Sequence, residues 1–493
     1  MLWLAFHLPH LSLQALPWSR PGFETALPVA VIEQRSVIGV NRAAHAQGVR
    51  MGMSQAGALA LLPSLQPLAR DLQREADFVR SLGLALGALT PSICLLGEGV
   101  LLEVHASLRL FGGVRALLRR ATGIARDCGA RFSLGVAPTA NGAWLLASSA
   151  QARRRALQPR TAERLLDRVP LAALPRIVEL APQRAELLQA LGCRSVGELR
   201  ALPRAGLQRR LGRDLLVALD RCYGQAGDPR IWFAAPERFE SRLELLHRAD
   251  DAASLCHALH GLLLQLQGWL TLHWRAAATL RLSLRHEHGR QAQPDTQLLL
   301  QLSTPSRDLA QFELLWRERL QRHTLAAPVY EIALSLDASV DHAGTPGELL
   351  PTPGQSQRDH AALIDRLVAR LGAQRVHRLA LVDDHRPEHA QRCLSPGEED
   401  APDEVPASPL PRPTWLLSEP QPLASDPHLG RPIHAGQTLR LIGRAERIEA
   451  GWFDGALVCR DYHLAEGEDH RLRWVFRERG DTGDAWFLHG VFG

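Results

Sequence analysis

Lysine is absent from this chain: every one of its 57 basic side chains is arginine. Chemistry that needs a lysine amine, such as Schiff-base formation or a lysine-bearing phosphate loop, is therefore excluded. A GC-rich coding bias is the simplest account of the gap, and arginine still supplies bidentate phosphate contacts wherever it clusters. Cysteine is sparse. The seven residues (Cys94, Cys128, Cys193, Cys222, Cys256, Cys393 and Cys459) lie far apart with no C-x-x-C pair, which argues against a zinc ribbon or a disulfide framework. No apolar run reaches the roughly 18 uninterrupted residues of a membrane span. The stretch Met1 to Leu16 lacks a basic leader and is broken by Pro9 and His10, so it reads as a core strand and not a signal peptide. These absences point to a reducing, cytoplasmic setting without membrane contact. What is present is ordinary globular material: 493 residues, 46% apolar, and a net charge of 57 − 52 = +5. At roughly 150 residues per domain that is room for about three domains.

The first 150 residues carry a strand signal at Leu2 to Leu8, a helical pattern before Ile93, and strands at Ile93 to Leu96 and Val100 to Val104 around Gly97-Glu98-Gly99. A helix near Val114 to Cys128 and a strand at Arg131 to Ala137 complete a β-α-β-β-α-β order, that of a split ferredoxin-like sheet. An insertion at about 20 to 70 holds a strand at Pro28 to Glu33 and a small-residue helix after Ser54. From Leu187 to Gly224 the pattern changes to short helices. Leu187 to Leu202 reads as a helix-hairpin-helix, whose turn amides suit a phosphate, or as a generic helical connector. A second β-α-β-β-α-β order follows: Phe239 to Leu245, Ala252 to Leu270, Leu280 to Arg285, Gln297 to Leu302, Arg307 to His323 and Val329 to Leu336. After Asp337 the composition turns to Gly, Pro and Ser, then to a helix at Asp359 to Gly372 and an acidic, proline-rich stretch from Pro396 to Pro413. The segment from Thr414 to Gly493 is rich in Trp, Gly and charge, and reads as a small β-rich module.

A split ferredoxin-like sheet with carboxylates on its first strand and central hairpin is how nucleotidyl transferases hold two Mg²⁺ ions, because hard cations need several oxygens aimed at one point. Here Leu4, Ala5, Phe6 and His7 occupy the middle of the first strand, and the hairpin offers Gly97-Glu98. One carboxylate cannot organise two metals, so Glu98 alone reads as a solvated turn residue.

The order of subdomains, the segment SVIGVNRAAHAQGVRMGM (Ser36 to Met53), the hairpin LLGEGVLLEVHASLRLFGG (Leu95 to Gly113) and SLGVAPTANGAWLLA (Ser133 to Ala147) resemble Y-family translesion DNA polymerases. Glu103-Val104 followed by Leu110-Phe111-Gly112-Gly113, with the tail segments GRAERIEAGWFDG, RDYHLAEGEDHRLRWVFRER and WFLHGVFG, is similar more narrowly to the ImuB family. That family is the polymerase-like, catalytically inactive member of the bacterial mutasome. The resemblance implies an α+β, Y-family polymerase-like architecture: a ferredoxin-like palm at 1–165 with small fingers inserted at about 20–70, a helix-hairpin-helix thumb at 166–235, a βαββαβ little finger at 236–340, a flexible linker at 341–413, and a C-terminal β-rich module at 414–493. The family's first-strand metal-binding aspartate falls on Ala5, and its hairpin Asp-Glu pair on Gly97 and Glu98. Its triphosphate-contacting tyrosine and arginine fall about on Arg42 and His45, and its palm lysine near Trp144. The resemblance thus implies no bound metal or other cofactor. Its role would be non-catalytic, in damage-induced (SOS) mutagenesis, with a nucleoid-associated cytoplasmic location. Its implied partners are DNA, the sliding clamp, an ImuA-type RecA-like protein and an ImuC-type C-family DNA polymerase.

Arg204, Arg209, Arg210 and Arg213 follow the hairpin-like helices and are candidates for phosphate contact. Arg281 and Arg285 alternate with Leu280, Leu282 and Leu284, which puts both arginines on one sheet face, as in any half-exposed strand. A clamp-binding peptide of the family falls on Pro346 to Pro351, with Leu349 and Leu350 as its apolar anchors. An active polymerase that uses Glu98 with substitute ligands such as Glu103, and a scaffold that never touches DNA, remain as alternatives. Two other clusters read as loops: Asp383, Asp384, His385, Glu388 and His389 as solvated, because Pro387 prevents their alignment on a helix, and His286 to Gly289 as a turn. Trp452, Asp461, Tyr462, Trp474, Trp486 and His489 read as a small aromatic core with a polar rim.

Overall fold

The computed structural model describes residues 1–16, 27–149, 154–179, 181–190, 192–287, 294–342, 353–395, 398, 410–479 and 485–493. Two compact units are present, Met1–Arg370 and Leu371–Gly493.

In the first unit, strand β1 (Trp3–His7) is buried at every position, which is why it reads as a continuous apolar run. After the short helix α1 (Leu11–Gln14) comes the insertion, β2 (Val29–Glu33), β3 (Ser36–Val40), α2 (Arg42–Ala46), α3 (Gln55–Leu61) and β4 (Gln66–Ala69). It forms its own sheet of order β3-β2-β4 over a small core that includes Val37, Ala44 and Val49. Asn41 and Ser54 cap α2 and α3 by accepting from Ala44 and Gly57 backbone amides. Helix α4 (Leu72–Leu86), β5 (Ile93–Leu96), β6 (Gly99–Glu103), α5 (Val114–Asp127) and β7 (Ser133–Ala137) complete the first sheet, order β5-β6-β1-β7. This is the expected ferredoxin-like arrangement, with the first strand central and antiparallel to both neighbours. One face packs on α4 and α5 through Leu4, Phe6, Val79 and Leu117. The other, with Trp3, Ala5 and Leu101, packs under α6 (Ala140–Ser148).

Helices α7 (Pro159–Leu166), α8 (Pro182–Ala190), α9 (Val196–Arg200), α10 (Arg204–Leu211) and α11 (Arg213–Tyr223) share that second core. Gly212 joins α10 to α11 at φ 94°, a conformation that favours glycine. The next sheet comprises β8 (Glu240–Ala249), α12 (Ala252–Leu272), β9 (Arg275–His286), β10 (Thr296–Ser306), α13 (Leu309–Arg322) and β11 (Val329–Asp341). Its element order is the expected β-α-β-β-α-β, but its strand order, β10-β9-β11-β8, puts the last strand inside where the first sheet has its first. Helix α12 lies directly on α4: a Cβ on Gly268 would fall 1.8 Å from the Leu84 carbonyl oxygen.

Two linker expectations need correction. β11 runs to Asp341, and helix α14 (Pro353–Leu371) begins well before Asp359. α14 is docked on β10, where the Ser303 amide donates to buried Asp365 at 2.8 Å and Ala369 joins the core. Downstream, β12 (Arg378–Leu381) and β13 (Gln391–Leu394) form a hairpin within the second unit, in a stretch expected to be linker. The remainder of that unit is a seven-stranded antiparallel sheet: β14 (Trp415–Ser425), β15 (Pro432–His434), β16 (Gln437–Thr438), β17 (Arg440–Ala450), β18 (Val458–Glu466), β19 (Leu472–Glu478) and β20 (Trp486–Val491). Its order is β16-β15-β14-β20-β19-β18-β17, and alternate residues feed two separate apolar clusters, as a period of two requires.

Candidate functional site

Ala5 is fully buried at the centre of β1, opposite Leu101 of β6 and Gly135 of β7. A Cβ on Gly135 would fall 2.0 Å from the Ala143 carbonyl oxygen, so small residues here let α6 lie flat on the strands. A carboxylate at position 5 would be buried beneath that helix among apolar groups, an expensive place for a charge. The β5–β6 turn carries Gly97 and Glu98, and the Glu98 carbonyl accepts from the Leu8 amide at 2.8 Å. Close approach at the next residue is possible only for glycine: a Cβ on Gly99 would fall 1.9 Å from the Phe6 oxygen and 3.1 Å from the Trp144 ring.

Glu98 is half-exposed and is not simply solvated, which corrects the reading of a free turn residue. Its carboxylate pairs with the Arg176 guanidinium and lies 3.4 Å from His7 Nε2. Arg176 ends a 3₁₀ turn at Leu171–Arg176, and its carbonyl accepts from the Trp144 indole N–H at 3.0 Å. Trp144 in turn meets the His7 ring edge-on, with centroids 5.5 Å apart. Burial, helped by Arg176 and then Arg154, pulls the His7 pKa down to about 4, so its imidazole is neutral at neutral pH. Glu98, Arg176, His7 and Trp144 therefore form one connected cluster at the hairpin end of β1. Sequence reasoning missed Arg176; the signal it offered was the need of an isolated hairpin carboxylate for a cation. Glu103 does not join this cluster. It sits at the far end of β6, opposite Trp3, and its Oε1 accepts from the Leu2 and His105 amides at 3.2 and 3.1 Å.

Arg42 and His45 both lie exposed on α2. Among the candidate phosphate-contacting arginines, Arg204 is paired with Asp220. Arg209, Arg210 and Arg213 are exposed on α10 and the start of α11, and Arg209 Nε lies 3.4 Å from the Ala205 carbonyl. A Cβ on Gly212 would fall 2.6 Å from an Arg184 guanidinium nitrogen, so Arg184 overlies the same turn. Arg281 and Arg285 do share the solvent face of β9, with Leu280, Leu282 and Leu284 buried beneath. Each is already engaged: Arg281 with Asp337 at 2.5 Å, Arg285 with Glu331 at 3.0 Å and Asp295 at 3.5 Å. Leu349 and Leu350 lie outside the described residues.

Three minor readings change. Asp384 and Glu388 are not solvated: Asp384 pairs with buried Arg386 at 2.7 Å, and Glu388 with Arg460 at 2.8 Å, while Asp383, His385 and His389 are exposed. His286 ends β9, buried, with Nδ1 2.7 Å from the Ala327 carbonyl and Nε2 2.7 Å from Thr296 Oγ1. In the second unit Tyr462, Trp474, Trp486 and His489 are core, and Tyr462 Oη lies 2.7 Å from His489 Nδ1, but Trp452 is 71% exposed. Among the described residues no helix is long and apolar enough to cross a membrane.

A βαββαβ sheet with a three-stranded insertion, a helical segment and a second βαββαβ sheet is a Y-family polymerase-like architecture. Residues 15–148 match the impB/mucB/samB family. Protein ImuB of Caulobacter vibrioides, strains NA1000 / CB15N and ATCC 19089 / CIP 103742 / CB 15, is 27% identical over 480 residues, spanning 90% of this chain and all of that protein. The family resemblance read from the sequence is to the one these relatives carry. Solved structures with a similar fold include a Dbh ternary complex (17% identity, TM-score 0.38) and DinB from Sulfolobus solfataricus (17%, 0.37), each covering 69% of this chain and 100% of the other.

Proposed function

We propose that this chain is a non-catalytic Y-family-like adaptor in translesion synthesis and damage-induced mutagenesis. It binds DNA and the sliding clamp and brings in an error-prone C-family polymerase of the ImuC type, together with an ImuA-type RecA-like partner. The observation that carries this reading is the Glu98 cluster: the carboxylate on the β5–β6 hairpin is paired with Arg176 and flanked by His7, and Ala5 is sealed under α6. Two-metal phosphoryl transfer needs oxygens free to face the cations, and an internal guanidinium takes that position's charge instead.

DNA contact falls best on the helical segment. Arg209, Arg210 and Arg213 reach solvent near the Gly212 turn, with Arg184 beside it, and among the described residues hold no ion pair that a phosphate would first have to break. Arg281 and Arg285 would have to leave carboxylates to do so. The test is a DNA-binding titration over a range of salt. Arg210→Ala/Arg213→Ala should weaken binding on all sequences and flatten the salt slope by about 2, one for each phosphate that no longer meets a cation. An unchanged slope removes the helical segment from the DNA interface. Clamp capture should fail in Leu349→Ala/Leu350→Ala, and undiminished capture would place the clamp contact elsewhere.

A further inference from the structure

The helical face of the first sheet, opposite Ala5 and Glu98, carries a second feature that the adaptor reading does not use. Between α5 and α12 lies a solvent-open cleft of about 580 Å³. Its apolar wall includes Leu89, Ile124 and Leu264, and two arginines project into it from different sheets, Arg120 from α5 and Arg307 from the turn before α13.

Both guanidinium groups lack a carboxylate among the described residues. Arg120 has only the Phe111 ring, 5.2 Å from its guanidinium carbon. Arg307 is half-buried, and burial alone pulls its pKa down with no acidic neighbour to offset it. Arg70, Arg281 and Arg285 of the same unit, by contrast, each hold a carboxylate. Arg120 is exposed, but Arg307 is a partly dehydrated cation without a counterion, a standing cost that a bound anion removes. One carboxylate, exposed Asp127, also lines the cleft, 3.8 Å from His260 Nε2. Gly123 leaves the floor open, since a Cβ there meets nothing within 4 Å.

We propose that this cleft binds a nucleotide, with Arg120 and Arg307 gripping its phosphates from the two sheets and the apolar wall receiving its flat organic part. Occupancy would tie the first sheet to the second at the α4–α12 contact.

The test is calorimetric titration of the full chain with ATP, inorganic triphosphate and adenosine. ATP should bind saturably, inorganic triphosphate should compete with it, and adenosine alone should bind far more weakly. Arg120→Ala and Arg307→Ala should each weaken ATP by about tenfold or more, as expected when a charge-assisted hydrogen bond is removed, while Arg210→Ala/Arg213→Ala leaves it unchanged. Gly123→Trp narrows the cleft without touching either charge and should also weaken binding, which guards against misfolded arginine variants. Absence of saturable ATP binding, or binding that survives these substitutions, overturns the proposal. So does displacement of ATP by duplex DNA with matching loss of DNA affinity in Arg120→Ala, which would make the cleft a DNA contact.

Discussion

Acidification should weaken the first unit through one histidine. His7 is 7% exposed on β1, and its pKa falls from 6.5 to about 4 because burial, then Arg176 and Arg154, oppose its charged form. In the unfolded chain His7 protonates near 6.5, so below that pH the unfolded state takes up a proton that the folded state refuses. The stabilisation is complete above pH 6.5, declines as pH falls, and is lost near pH 4. At about 1.4 kcal/mol per pH unit, that interval amounts to about 3.5 kcal/mol in full, of which about 3 kcal/mol is expressed by pH 4. The perturbation is His7→Gln, which keeps a polar side chain but cannot titrate. The assay is urea unfolding of both proteins at several pH values between about 7.5 and 4, reading amide exchange in peptides from β1 and β6 so that the first unit is followed on its own. Taking the difference between the two proteins cancels every other titrating group. The wild-type chain should lose about 3 kcal/mol more than the variant across the window. Curves that stay parallel to within about 1 kcal/mol would refute the placement of a neutral, buried His7 beside Arg176.

Other outcomes follow from single contacts. Arg176→Ala should raise the His7 pKa, visible as a shifted imidazole titration by NMR, and should leave burial as the main remaining cause of its depression. Gly268→Leu cannot be accommodated against the Leu84 carbonyl, so it should destabilise the α4–α12 contact by about 3 kcal/mol or more, measured by exchange in both helices. Tyr462→Phe removes the contact to His489 and should cost the second unit about 1 kcal/mol in thermal unfolding.

Much of the fold was legible because its strands and helices bury one face each with the right period. β1, β5, β6 and β7 fell within a residue or two of their expected places, and the second sheet's four strands all overlap the segments expected to form them. The order of that second sheet was not legible. Element sequence is the same in both sheets, and only tertiary packing decides whether the first or the last strand lies inside. Helix α14 starts earlier than expected because Pro353 is well placed at a helix N-terminus, although its composition resembles a linker. The alternation of Arg281 and Arg285 with leucines correctly gave their shared face. Their partners Asp337 and Glu331 arrive from β11 by cross-strand register, which a pattern along one strand does not encode. The same holds for the candidate site. The loss of carboxylates at Ala5 and Gly97 could be read directly, whereas Arg176 reaches Glu98 from a distant turn that is positioned by the Trp144 indole.

The most direct test of the central claim is primer extension by the full chain on undamaged and lesion-bearing templates with Mg²⁺ or Mn²⁺, beside a DNA-binding titration of the same preparation. The adaptor account expects salt-sensitive binding and no extension with either metal. Extension that disappears in Glu98→Ala would contradict it, because the carboxylate held by Arg176 would then be serving a metal.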